Sequence, residues 1–126
     1  MAKIILVDDS SLILSQMKKF LQAEGHDVVD LAHDGREGLD AFRRHQPDLC
    51  FMDISMPNMN GIQCLEEILR EHPNARVVML SALREAEKAD TCRALGARAF
   101  LSKPLRFFDP TYMDHLRSVV QQVLAD

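Results

Sequence analysis

Asp48-Leu49-Cys50-Phe51-Met52-Asp53 is an apolar run of strand length that stops at an acid. An apolar stretch with no polar interruption suits a strand covered on both faces, as in a parallel sheet with crossover helices above and below it. Lys3–Val7, Asp27–Leu31, Arg76–Leu80 and Ala99–Ser102 are further short apolar runs of strand length. The first and third of these are nearly continuous in apolar residues, whereas Asp27–Leu31 alternates and suits the edge of a sheet.

The segments between the runs carry helical spacing. Ile13, Met17, Phe20 and Leu21 mark one stripe, and Ile62, Leu65, Ile68 and Leu69 another. A last helix is expected to open at Asp109 as N-cap, with Pro110 in its first turn and Met113, Leu116, Val120 and Val123 as its buried side. Phe108 and Met113 are placed to form a hydrophobic staple across that start. The helix expected over Glu85 to Leu95 offers mainly Ala86, Ala89 and Cys92 to a core, so it should be the most weakly held. Gly25 and Gly96 stand where left-handed C-caps are wanted, and Pro47 and Pro73 close two further helices. The order of elements predicts an α/β fold of the (βα)5 type with a parallel sheet.

The chain has 126 residues, room for one domain over 1–126 and for a real core. A net charge of −4, with no cluster of Lys and Arg, argues against a nucleic-acid surface. The three cysteines lack CxxC spacing, and the five histidines are scattered singly, so neither a disulfide framework nor a zinc site is expected. Asp8 and Asp9 interrupt the first apolar run, which removes a signal peptide, and no run reaches the length of a membrane span. A reducing cytoplasm fits this usage.

Ligands of open parallel sheets bind beyond the carboxyl ends of the strands. The residues expected there are Asp8-Asp9 after the first strand, Asp53 after the third, Ser81 after the fourth and Lys103-Pro104 after the fifth. Three carboxylates brought together raise one another's proton affinity unless positive charge is supplied. Lys103 offsets one of the three charges, and a divalent cation would offset the other two. Oxygen-only ligands describe a Mg2+ site. Taken singly, an acidic pair is more often a helix cap, Ser81 another cap and Lys103 a solvated side chain. Their joint position at the strand ends is what favours a site.

Asp8-Asp9, the segment Asp53-Ile54-Ser55-Met56-Pro57-Asn58-Met59-Asn60-Gly61, Ser81-Ala82 and Lys103-Pro104 together resemble the signature of the response-regulator receiver family, from one end of the chain to the other. The resemblance implies a doubly wound, flavodoxin-like sheet of order 2-1-3-4-5. It implies that Asp53 accepts a phosphoryl group from a histidine kinase or histidine phosphotransfer protein. Asp8, Asp9, Asp53 and the Ser55 backbone carbonyl would hold Mg2+, Asp8 mainly through a water. Lys103 would pair with Asp53 at rest and with a phosphoryl oxygen afterwards, across a cis Lys103-Pro104 bond. Ser81 and Phe100 would form the switch, and helix 4, strand 5 and helix 5 the surface that responds to control a downstream protein target. Phe100 departs from the Tyr frequent at this position and has no hydroxyl to offer. Side chains at Ser55 and Leu83 would govern water access to the phosphoryl group. Leu105, Phe107 and Phe108 lie in a connection longer than usual for the family and are read as packing residues, ahead of a partner-binding patch.

Several other functions compete. A haloacid-dehalogenase-type phosphatase would need an acid where Ser55 stands, and a flavin phosphate would be repelled by Asp8 and Asp9. Nucleotide loops of the GxGxxG and GxxxxGK[ST] kinds are absent. A pseudo-receiver that binds partners without being phosphorylated is the remaining alternative, although every acidic and basic position is filled. A receiver cut from a larger regulator or a hybrid kinase would read the same way.

Overall fold

The five apolar runs become β1 (Lys3–Val7), β2 (Asp27–Ala32), β3 (Leu49–Asp53), β4 (Val77–Ser81) and β5 (Ala99–Ser102), all parallel in one sheet of order β2-β1-β3-β4-β5. The computed structural model describes residues 1–126, with the exception of the Leu83 side chain. Helices α1 (Ser11–Ala23), α2 (Gly35–His45), α3 (Gly61–Glu71), α4 (Ala89–Leu95) and α5 (Pro110–Ala125) connect or follow the strands. As expected, β2 is an edge strand and is only partly buried.

Alternate residues of the central strands point to opposite faces and so build two cores. Ile5, Val7, Cys50, Met52, Val77 and Met79 meet α2, α3 and α4, while Ile4, Leu6, Leu49, Phe51, Val78 and Leu80 meet α1 and α5. Burying one such side chain contributes about 1.5–3 kcal/mol, which is why β1, β3 and β4 hold their register firmly. The three cysteines are buried and free.

Helix ends are fixed by local caps, some expected from the sequence and some seen only in the structure. Ser10 caps α1 by accepting from the Ile13 amide, and Asn60 and Gln63 form a reciprocal capping box at α3. Asp109 caps α5 with Pro110 in the first turn. Gly25 (φ +88°) and Gly96 (φ +118°) take left-handed conformations just past their helices.

Two expectations fail. The segment read as a helix from Glu85 opens earlier, as a 3₁₀ helix over Leu83–Lys88, and becomes α-helical only from Ala89. The cause is an i→i+3 bond from the Glu85 amide to the Ala82 carbonyl (2.9 Å), which tightens the turn, directs Glu85 inward and leaves Ala86 exposed. The Phe108–Met113 staple does not form either, because Phe108, also expected to pack, is 84% exposed. A turn closed by the Asp109 amide on the Arg106 carbonyl (2.9 Å) separates the two neighbouring rings. Phe107 takes the inner place, its ring centroid 6.0 Å from that of Phe20.

Candidate functional site

β3 and β4 run one residue further than their apolar runs, so Asp53 and Ser81 are the last residues of their strands and their backbones belong to the ladder. The register pairs Val7 with Met52, Asp53 with Leu80 and Ser81 with Ser102. That alignment brings Asp8, Asp53, Ser81 and Lys103 to one edge. Carboxylate oxygens of Asp8, Asp9 and Asp53 lie within 4.8 Å of one another.

Asp8 is buried, and its orientation comes from the start of α1, where the Ser10 amide donates to Oδ1 (2.9 Å). Asp9 is exposed. Lys103 Nζ lies 3.2 Å from Asp53 Oδ1, in a hydrogen bond, and 3.0 Å from Asp8 Oδ2. The second contact is an ion pair off the hydrogen-bond line, since Asp8 Oδ2 accepts no hydrogen bond among the described residues. The Lys103 backbone is tied to Ser81 through its amide on the Ser81 carbonyl (2.7 Å), and the Lys103-Pro104 bond is cis. Gly61 closes the far side of the loop after β3. A Cβ there would stand 1.9 Å from the Asp53 carbonyl oxygen, so the helix start and the strand end approach as closely as only glycine allows.

Charge in this cradle is unbalanced. Burial, and then the negative charge of Asp8, push the Asp53 carboxyl up to about 7, with Lys103 offsetting only part of the effect. Burial also works against the Lys103 ammonium, but Asp8 and Asp53 outweigh it and hold that group above the usual lysine range. Three carboxylates, with a buried Asp8 oxygen that has no hydrogen bond among the described residues, form an all-oxygen donor set. Such donors suit a hard divalent cation of the Mg2+ kind. The Ser81 hydroxyl, wholly buried, also has no partner among the described residues.

Phe100 is half-buried on β5, packed on the same face of the sheet as Met79 and, by strand alternation, Ser81. The Arg93 guanidinium stands 5.9 Å from its ring centroid. Leu83, expected beside Ser55 as a gate for water, has its side chain outside the described residues.

One residue at the site escaped the sequence. Glu85 is only 5% exposed, accepts the Ser55 hydroxyl on Oε2 and accepts the Ala82 amide on Oε1 (3.0 Å). Burial would raise its carboxyl, but these two hydrogen bonds outweigh that and hold it below the usual range. Its position, an acid three residues after Ala82 at the start of a helical segment, is the available sequence signal.

Residues 4–110 match the family model for the response regulator receiver domain. The chain belongs to that family. Its receiver is 41% identical over 105 residues to a chemotaxis protein CheY of Treponema pallidum, covering 82% of this chain and 73% of that protein. A CheY of Thermotoga maritima is 32% identical over 104 residues, covering 82% and 87%. The receiver superposes with a TM-score of 0.87 and 34% identity on the crystal structure of the CheX–CheY–BeF3–Mg2+ complex from Borrelia burgdorferi, over 96% of this chain and 87% of that one. The response regulator domain of Thermotoga maritima CheB gives 0.84 and 32%, over 98% and 96%. The receiver is thus a CheY-like module of two-component signalling with a flavodoxin-like fold. No helix among the described residues is long and apolar enough to cross a membrane.

Proposed function

We propose that this receiver, as one domain over residues 1–126, is a Mg2+-dependent phosphoacceptor that takes a phosphoryl group on Asp53 from a histidine kinase or histidine phosphotransfer protein. An Asp53 carboxylate oxygen forms the new bond to phosphorus as the bond from phosphorus to the donor nitrogen breaks. Bound Mg2+, held by Asp8, Asp9, Asp53 and the Ser55 carbonyl, would supply positive charge to the phosphoryl oxygens. Lys103 transfers its attention from the Asp53 carboxylate to a phosphoryl oxygen, and the Ser81 hydroxyl donates to another. The observation that carries this reading is the charge deficit around Asp53, a buried nucleophile among three carboxylates with one ammonium in contact.

The output follows from Ser81. Engaging its free hydroxyl draws the end of β4 toward Asp53, and Phe100, on the same face and only half-buried, moves into the room left behind. The surface of α4, β5 and α5 then changes for a downstream protein. The α4 segment buries only Cys92 among its seven residues, so little packing resists its movement. The Borrelia complex, in which a CheY is joined to CheX with BeF3 and Mg2+, supports an output of this kind.

Incubation with acetyl phosphate and Mg2+ is expected to add one phosphoryl mass to the intact protein, and Asp53→Asn to abolish the gain. An unchanged mass in the wild type would establish a pseudo-receiver instead.

A further inference from the structure

We infer that Glu85 is a positioning residue for the metal site, because its carboxylate tethers Ser55 to the turn after β4 and so holds the Ser55 backbone carbonyl toward the cation. The inference rests on the phosphoacceptor reading above. In the loop after β3 the backbone is anchored at Ile54, whose amide donates to the Leu80 carbonyl (3.0 Å) and whose carbonyl accepts from Gly61 (2.7 Å), and again at Met59, whose carbonyl accepts the Gly35 amide (2.9 Å). Ser55 is exposed and has no backbone hydrogen bond among the described residues. The hydrogen bond that fixes it runs from its hydroxyl to Glu85 Oε2.

Glu85 is well suited to carry that load. Its Oε1 accepts the Ala82 amide (3.0 Å), and its own amide donates to the Ala82 carbonyl (2.9 Å), so it is clamped to the residue directly after Ser81. Arg84, Ala86, Glu87 and Lys88 around it are all exposed, and Glu85 alone among these neighbours turns inward. Burying a carboxylate costs free energy unless hydrogen bonds compensate, so the inward position depends on both contacts. One side chain therefore bridges the loop after β3 and the loop after β4. A partner that orients a metal ligand influences affinity without touching the metal, and its loss typically weakens binding 10–100-fold, near the lower figure where other ligands remain.

Calorimetric titration of Mg2+ into the wild type, Ser55→Ala, Glu85→Ala, Glu85→Gln and the Ser55→Ala/Glu85→Ala double variant tests this. Ser55→Ala and Glu85→Ala are each expected to weaken binding about tenfold, and the double variant no more than either alone. Glu85→Gln keeps polar atoms at both positions and is expected within about twofold of the wild type. Ser55 is an exposed residue of a loop, and Ser55→Ala leaves the Glu85 bond to the Ala82 amide in place, so it decides the matter even if Glu85→Ala fails to fold. Wild-type affinity in Ser55→Ala overturns the tether. Equal loss in Glu85→Gln and Glu85→Ala also overturns it, since charge rather than hydrogen bonding would then be responsible. A wild type that binds no Mg2+ overturns the metal reading and the inference with it, whereas normal wild-type binding beside an unaffected Ser55→Ala overturns the inference alone.

Discussion

Ser81 presents a wholly buried hydroxyl that no group among the described residues answers. A buried polar group without a partner costs about 1–3 kcal/mol, so Ser81→Ala is expected to raise stability by about 1 kcal/mol in urea denaturation while slowing phosphorylation. A variant less stable than the wild type would mean that the hydroxyl is satisfied at rest. Asp53 makes a parallel argument through pH. Its folded-state carboxyl at about 7 lies above the ordinary 3.8, so between these values the native state binds more protons than the unfolded chain. Stability contributed by this group is present below the unfolded value and lost as pH rises toward 7. At about 1.4 kcal/mol per unit the penalty above that window is on the order of 4 kcal/mol. In metal-free buffer Asp53→Asn is expected to raise Tm at pH 8, with the gain vanishing toward pH 4. Equal Tm values at pH 8 would show that Lys103 already compensates the charge.

Elements place these groups, and their contacts predict where substitution hurts. Gly61 lies so near the Asp53 carbonyl that an added methyl would have to displace the start of α3 or the end of β3. Gly61→Ala is expected to cost about 2 kcal/mol, the usual scale of overpacking, as read from the urea midpoint. An unchanged midpoint would mean the loop yields freely. The strands, the α1 and α3 stripes and the caps at Asp109, Gly25 and Gly96 were legible in the sequence because each follows from local chemistry or a simple period. The 3₁₀ turn was not, since Glu85 bends inward to meet Ser55, thirty residues away, which no local pattern reports. Phe107 and Phe108 are two adjacent aromatics in one turn, and only the packing against Phe20 decides between them.

At the scale of the whole molecule, five strands aligned in register turn scattered residues into one acidic cradle. Asp8, Asp9, Asp53 and Lys103 were legible because each stands at or just beyond a strand end, where the sheet must bring them together. Glu85 acts through a side-chain contact between loops and became visible only in three dimensions. This cradle is expected to hold a divalent cation and a phosphoryl group on Asp53 at the same time. A crystal structure grown with Mg2+ and beryllofluoride, a phosphoryl mimic, tests it most directly. The mimic is expected on Asp53, with the cation touching Asp9, Asp53 and the Ser55 carbonyl and the Ser81 and Lys103 side chains turned to the fluorides. An unmodified Asp53, or a cation bound away from these carboxylates, would rule out that joint occupancy.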